Sequence, residues 1–144
     1  MKEHVMRLLP GEDLVLSLHQ YCRKNEIKAA FVGTCVGSLE RVVFRKGYDQ
    51  TLFTMDGPFE IVSMEGTLSS NGMHIHTAVS DKNFKVYGGH ILSGSIIQST
   101  AEIVIIELEN HELSRTKGDL SGYKELQISQ IRKCSGSRNS GVGG

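Results

Sequence analysis

The sequence predicts a single α+β domain that is built mainly on an antiparallel β-sheet. Two observations carry this prediction: one amphipathic helical segment lies near the N-terminus, and short turn sequences separate the β-rich segments that follow it. The predicted order of elements is a strand, a helix and then six strands. A chain of 144 residues has the usual size of one domain and can bury a hydrophobic core without obligatory disulfides.

The first two elements are a strand and a helix. The stretch "HVMRLL" predicts a strand that ends before Pro10-Gly11. The stretch "EDLVLSLHQYCRKN" predicts a helix, because its apolar residues recur at spacings of three or four: Leu14, Leu18, Tyr21 and Cys22. Acidic residues at its start and basic residues at its end complement the helix dipole. Asn25 is expected to cap its C-terminus in a left-handed conformation.

The remaining strands are predicted from apolar and β-branched runs that turn sequences separate. These runs are "AAFVGTCVGSL", "ERVVFR", "FEIVSMEGTLS", "MHIHTAVS", "FKVYGGHIL" and "AEIVIIELE". Asn71-Gly72, between two of these runs, predicts a hairpin. The last run is apolar through its middle. We therefore expect one of its faces to lie against the helix and the other against a second sheet or subunit.

The folded domain is predicted to span residues 1–117. Residues 118–144 are predicted to form a Gly/Ser-rich C-terminal tail that is mostly flexible. Their composition cannot bury enough apolar area to offset the entropy lost on ordering. The alternative for part of this tail is a short helix over residues 124–133.

The composition limits the classes of partner and compartment. Sixteen Lys and Arg residues balance 16 Asp and Glu residues, which disfavours DNA as a partner because phosphate binding usually needs a basic excess. The sequence shows neither a signal-peptide pattern nor a membrane-spanning run, so we expect no membrane partner. The cysteines Cys22, Cys35 and Cys134 form no CxxC pair. They are expected to be free thiols in the cytoplasm, or in the nucleus of a eukaryote, with the first two in the core.

Three of the six histidines cluster in the stretch "GMHIHTAVSDKNFKVYGGH". Strand alternation places His74 and His76 together on the face away from the apolar residues, with Cα atoms about 6–7 Å apart. The turn at "SDKN" would return the next strand alongside and bring His90 to the same place. Gly88-Gly89 would let a neighbouring backbone approach closely there.

This arrangement has two interpretations. An HxH pair on the polar face of a strand is common without a metal ion. Three imidazoles in reach of one ion predict a metal site instead, and three ligands leave an open position, as in catalytic or exchangeable zinc sites. Zinc is the expected cofactor, and nickel, cobalt or copper bind such sites too. The other histidines, His4, His19 and His111, are expected at the surface.

A zinc hydrolase or lyase would also need an acid/base group, for which two carboxylates are candidates. Glu102 shares a strand face with apolar neighbours and is expected to point inward. Glu65 lies in the strand before the HxH pair. A buried carboxylate needs a partner, which a histidine-bound ion would supply. The alternative for each is an exposed acid at a sheet edge.

Several motifs together resemble the plants-and-prokaryotes-conserved (PPC) domain family: "PGEDL", "EGTLS", HxH, "GGH" with a following glycine, and "TAE". The resemblance covers about Val5 to Leu113. It implies a fold of the predicted class that assembles as a homotrimer. It also implies that stand-alone members carry a three-histidine pattern, which His74, His76 and His90 match. The fold is distantly similar to acetolactate decarboxylase, which holds zinc with an HxH pair and a later histidine.

The resemblance leaves two functional hypotheses from different classes. The first is a metal-binding trimer, with zinc as the expected ion, that acts on a small molecule as a lyase or hydrolase. The second is a DNA-binding or protein-interaction module whose metal is structural. Plant members of the family join the domain to AT-hook motifs, and this sequence contains no such motif. Whether the protein is an enzyme stays open at this stage.

Overall fold

The computed structural model describes residues 1–47 and 49–131. These residues form an α+β domain with mostly antiparallel strands and one short helix near the N-terminus, which confirms the predicted class. In chain order, the elements are β1 (Lys2–Leu8), α1 (Leu14–Lys24), β2 (Ala29–Arg45), β3 (Leu52–Ser69), β4 (Gly72–Ser80), β5 (Val86–Ile91), β6 (Ile96–Glu107), β7 (His111–Lys117) and β8 (Lys124–Gln130).

Six strands form the main sheet in the order β1-β6-β2-β3-β4-β5. The end of β2 also pairs with β5, where Phe44 lies opposite Ile91 and Arg45 lies opposite His90. Strands β2 to β5 therefore close on themselves at this end, which brings residues that are far apart in the sequence to one place. Strands β7 and β8 form a separate two-stranded sheet.

The core lies between α1 and one face of the main sheet. Leu14, Leu18 and Cys22 are the buried residues of α1, as their spacing predicts. The side chains of β6 on the core face of the sheet are fully buried: Ala101, Ile103 and Ile105. The opposite face of β6 is only half-buried at Val104 and Ile106. Within a single chain, the prediction that both faces of this strand are covered is therefore confirmed for the face that carries Ala101, Ile103 and Ile105, and the other face is only partly covered.

The helix begins at Asp13, whose side chain accepts a hydrogen bond from the backbone N–H of Leu16. It ends at Asn25 as predicted, but Asn25 has φ −97° and is not left-handed. The left-handed residue is the next one, Glu26, with φ 53°. No helix in the described residues is long and apolar enough to cross a membrane.

The C-terminal region differs from the prediction. Residues 124–130 form strand β8, paired with β7, so the alternative of a helix there is wrong. Neither β7 nor β8 was predicted as a strand. The two predicted runs over 29–45 also form one continuous strand, β2. The rest of the predicted tail, residues 132–144, lies outside the described residues.

Candidate metal centre

Strand alternation and hairpin pairing bring the three predicted histidines together. In β4, Ile75 and Thr77 are buried, so His74 and His76 project from the opposite face. Strand β5 pairs with β4 and places His90 directly opposite His76. One ring nitrogen of each histidine lies within 4.8 Å of those of the other two. The structure thus forms the predicted cluster, while its role in metal binding stays a prediction.

The ring nitrogen atoms of the cluster lie close together, and one of them has no hydrogen-bond partner in the described residues. The Nε2 atoms of His74 and His76 are 3.1 Å apart. Nδ1 of His90 is buried and has no hydrogen-bond partner within the described part of the chain. A buried polar atom without a partner is costly, and a bound ion would satisfy it.

The electrostatic surroundings favour the neutral form of two imidazoles of the cluster, those of His74 and His90. Burial is the main cause that lowers the pKa of His90, to about 4, and the positive charge of Arg45 lowers it further. Burial and the neighbouring His76 also lower the pKa of His74. Neutral imidazole is the form that binds metal ions, so both side chains are in the ligating state at neutral pH.

Close packing of backbones holds the two histidine-bearing strands in place. A Cβ atom on Gly88 would lie 3.1 Å from the carbonyl oxygen of Thr77, which is tighter than ordinary contact. A Cβ atom on Gly89 would meet only the ring of Phe44, at an ordinary 3.7 Å. The predicted close approach of a neighbouring backbone therefore occurs at Gly88 and not at Gly89.

Two arginines that the sequence did not single out flank the cluster. Arg45 lies opposite His90 in the β2–β5 pairing, and its guanidinium is 5.1 Å from the ring centroid of Tyr123. Arg115, on β7, is only 7% exposed. Its Nη2 donates a hydrogen bond to Thr67 Oγ1 at 2.6 Å. The Nε atoms of both arginines are buried without a hydrogen-bond partner in the described residues.

The side chain of Asn71 fixes the backbone that carries Arg115. Its Oδ1 accepts a hydrogen bond from the N–H of Arg115 at 2.7 Å, and its Nδ2 donates to the carbonyl of Arg115 at 2.9 Å. The turn between β3 and β4 is thereby tied to β7. This contact explains how a strand outside the main sheet delivers a buried cation beside the histidines.

The histidines lie between two cavities. The larger one has a volume of about 1100 Å³, and all three histidines and both arginines line it. The smaller one, of about 580 Å³, is lined by His74, His76 and Glu65 among others. The cluster can therefore be approached from two sides.

The two candidate carboxylates lie in different places. Glu65 is opposite His76 in the β3–β4 pairing and lines the smaller cavity. Glu102 is exposed, lies opposite Arg7 and Val36, and lines neither of these cavities. The expectation that Glu102 points inward is wrong, because α1 covers the other face of β6.

The remaining histidines lie outside the cluster. His4 is buried, at 6% exposed, and the expectation that it is a surface residue is wrong. Its Nε2 is 2.8 Å from Glu107 Oε2, and its Nδ1 is 3.3 Å from the hydroxyl of Tyr21. His19 and His111 are half-buried. These contacts give His4 a structural role, linking β1, β6 and α1.

The fold and the histidine cluster define a class of small antiparallel α+β domains with a candidate metal centre between neighbouring strands. The family model of the Plants and Prokaryotes Conserved (PCC) domain matches residues 1–109. The chain therefore belongs to this family, which is the family that its motifs resemble.

A longer protein contains a related stretch. The bifunctional protein GlmU of Synechococcus sp. (strain JA-3-3Ab) is 33% identical over 134 residues, which cover 93% of this chain and 22% of that protein. The chain spans about a fifth of the length of the curated relatives it matches.

Solved structures share the fold. A hypothetical protein from Salmonella cholerae-suis is 38% identical, with a TM-score of 0.86 over 90% of this chain and 94% of that one. A metal-containing protein from Archaeoglobus fulgidus is 23% identical, with a TM-score of 0.77 over 88% and 94%. A candidate DNA-binding protein from Bacteroides thetaiotaomicron is 21% identical, with a TM-score of 0.78 over 87% and 91%.

The distant similarity to acetolactate decarboxylase is confirmed at the level of the fold. The enzyme from Bacillus subtilis strain 168 is 12% identical, with a TM-score of 0.50 over 73% of this chain and 52% of that one. At this identity the similarity concerns the fold alone and carries no substrate or reaction to this chain.

Proposed function

We propose that this PCC-domain protein binds one divalent transition-metal ion, with zinc as the expected ion, through His74, His76 and His90. The observation that carries the proposal is the convergence of three ring nitrogens within 4.8 Å of one another. The buried Nδ1 of His90, which has no hydrogen-bond partner within residues 1–47 and 49–131, supports it, because an ion bound through that atom would supply a partner.

The donor set fits such an ion. Ligands that lie about 2.0–2.1 Å from a tetrahedral ion are about 3.4 Å from one another. The 3.1 Å between the Nε2 atoms of His74 and His76 is close to that spacing. Three imidazoles occupy three positions and leave the fourth for water or a ligand. The Archaeoglobus protein of the same fold is described as metal-containing, which agrees with the proposal.

The activity that suits this site is hydrolysis or lyase chemistry on a small molecule. A bound zinc ion would supply Lewis acidity at the open position. Of the two candidate carboxylates, Glu65 is the better acid/base group, because it lies opposite His76 and lines a cavity that the histidines also line. Its carboxylate would accept or return a proton at that side of the cluster. Glu102 is exposed away from both cavities.

The proposed assembly is a homotrimer. The face of the sheet that α1 does not cover carries exposed apolar side chains from neighbouring strands, namely Val5, Phe31 and Val36. Phe31 also lines the smaller cavity with Glu65, so a subunit packed on this face would adjoin the candidate centre. Light scattering coupled to size-exclusion chromatography tests the assembly. A mass of three chains supports it, and a monomer contradicts it. The cytoplasmic location also stays a prediction.

Elemental analysis of the protein purified without added metal tests the metal proposal. We expect about one ion per chain in the wild type, and loss of the ion in His74→Ala/His76→Ala. The matched control is His19→Ala/His111→Ala, which removes two half-buried histidines outside the cluster and should retain the ion. A folded wild-type protein without stoichiometric metal contradicts the proposal. Equal metal loss in both double variants contradicts the assignment of the ligands.

The second candidate function is DNA binding. The Bacteroides protein of the same fold is described as a candidate DNA-binding protein. Four cationic residues of this chain also line the larger cavity: Arg45, Lys46, Arg115 and Lys124. The zero net charge speaks against this function. A gel-shift assay with an A·T-rich DNA duplex at physiological salt tests whether the protein binds DNA. Salt-sensitive binding that Lys46→Gln/Lys124→Gln weakens supports DNA binding, and absence of a shift contradicts it.

A further inference from the structure

We propose that the larger cavity binds a small organic anion, whose carboxylate or phosphate group is held by Arg45 and Arg115 and whose uncharged body rests on an apolar wall. This inference rests on the proposed metal site, since it names the class of molecule that would occupy the space beside the open coordination position. Three features of the described part of the cavity carry it: the unbalanced positive charge, the buried guanidinium nitrogens without a hydrogen-bond partner there, and the apolar lining.

The cavity has a one-sided charge. Four cationic residues line it, and none of the described residues that line it carries a carboxylate. No ion pair within residues 1–47 and 49–131 includes Arg45 or Arg115. Arg115 is buried and Arg45 is half-buried. Buried charges in proteins are normally paired, so these two guanidinium groups lack a counter-charge among the described residues. An anionic ligand would supply it.

The hydrogen-bonding state of the two arginines points to the same missing group. Arg115 is almost fully buried, and its one side-chain hydrogen bond in the described structure goes to the neutral hydroxyl of Thr67. Arg45 stacks on Tyr123. The Nε atoms of both arginines have no hydrogen-bond partner among the described residues. A guanidinium presents donors in a planar fork that matches the oxygens of a carboxylate or phosphate, which is the group these donors lack.

The position of the arginines places such an anion next to the histidines. Arg45 is the direct neighbour of His90 across the β2–β5 pairing. Arg115 donates to Thr67, which lies opposite His74 in the β3–β4 pairing. The two cations therefore flank the cluster from two different strands. When the two arginines hold the anionic group of a ligand, the rest of that ligand would lie beside the imidazoles.

The rest of the lining defines the rest of the ligand. Apolar and aromatic side chains make up a large part of the wall: Phe44, Phe53, Met55, Met73 and Tyr87. A volume of about 1100 Å³ is slightly above the usual range of about 300–1,000 Å³ for ligand pockets, so the cavity has room for a drug-sized molecule. Such a wall suits an uncharged, apolar body and would not favour a second charged group.

Calorimetric titration of the metal-loaded protein with 3-phenylpropionate, phenyl phosphate and the neutral alcohol 3-phenylpropanol tests the proposal. These probes share an aromatic body and differ in the headgroup. At least one anion should bind about tenfold more tightly than the alcohol, since a charge-assisted hydrogen bond is worth more than a tenfold change in affinity. Which anion binds tells a carboxylate ligand from a phosphate one.

Variants of the arginines complete the test. Arg45→Gln should weaken binding of the preferred anion about tenfold, and Arg115→Lys should weaken it less than Arg115→Gln. The control is Arg41→Gln, because Arg41 is exposed and pairs with Asp56 outside the cavity. Binding of alcohol and anions with equal affinity, absence of anion binding, or an unchanged affinity in folded Arg45→Gln overturns the inference.

Metal content is measured on the same samples. Stoichiometric metal without anion binding overturns this inference and leaves the proposed function standing. Anion binding that depends on Arg45 in a protein without metal supports the anion site and contradicts the proposed metal centre.

Discussion

The absence of a side chain at Gly66 lets β3 pack closely against β4 beside the histidine cluster. Gly66 lies on β3 opposite Ile75, between the positions that pair with His74 and His76. A Cβ atom built on Gly66 would be 2.5 Å from the carbonyl oxygen of His74 and 2.9 Å from Cα of Ile75. Both are backbone atoms, so the clash in Gly66→Ala cannot be relieved by turning a side chain.

The expected cost follows from this overpacking. Forcing one extra methyl group into a well-packed site costs about 1–3 kcal/mol of unfolding free energy. For a domain of this size, that loss lowers the unfolding midpoint by about 3–10 °C. Relieving this clash must move the backbone of β4 at His74, so we also expect the Gly66→Ala variant to bind metal more weakly.

Circular dichroism during heating gives the unfolding midpoints of the wild-type and variant proteins. Metal titration gives their metal affinities. Gly47→Ala is the matched control, because a Cβ atom there meets nothing within 4 Å in the described part of the chain and the residue has no positive φ. It should be neutral or slightly stabilising. If Gly66→Ala unfolds at the same temperature as Gly47→Ala, the packing argument for β3 and β4 is refuted.

Two further predictions concern the scaffold. Asp13→Ala removes the side chain that caps α1 and that also accepts a hydrogen bond from the loop before β6. Urea unfolding should show a loss of about 1–2 kcal/mol in the free energy of unfolding. A loss below experimental error would contradict the role of Asp13 as a cap. In a Cys134→Ser background, Cys22 and Cys35 should not react with a thiol reagent at pH 8 until the protein is denatured, because burial raises their pKa to about 11 and about 12. Since both folded-state pKa values exceed the ordinary thiol value of 9.0, the stability from these buried thiols is full below pH 9 and declines as the pH rises through about 11 and 12. Rapid labelling of the native protein at pH 8 would contradict their burial.

The histidine cluster could be predicted from the sequence because it depends on local rules. Strand alternation alone places His74 and His76 on one face. A short turn between two strands then decides that His90 returns opposite His76, as the pairing of β4 with β5 shows. The helix was predictable for the same reason, since its period separates its buried residues from the rest.

The arginines could not be predicted because long-range pairing brings them to the site. Arg45 reaches the cluster only because the end of β2 pairs with β5. Arg115 reaches it on β7, a polar strand whose sequence "HELSRTK" has no clear apolar alternation, although Leu113 is buried.

Glu102 is a second case in which the sequence could not predict the position of a side chain. Alternation correctly grouped it with Val104 and Ile106, but could not decide which face of β6 the helix covers. The rule that places a residue on a face is local. The choice of the buried face depends on the packing of α1, which lies far away in the sequence.

Anomalous X-ray diffraction at the zinc absorption edge, on crystals grown without added metal, tests the central claim most directly. The account predicts one anomalous peak per chain, about 2.0–2.1 Å from one ring nitrogen each of His74, His76 and His90, with a fourth position facing the larger cavity. A well-ordered histidine cluster without an anomalous peak at any transition-metal edge, or a peak held by other residues, would contradict it.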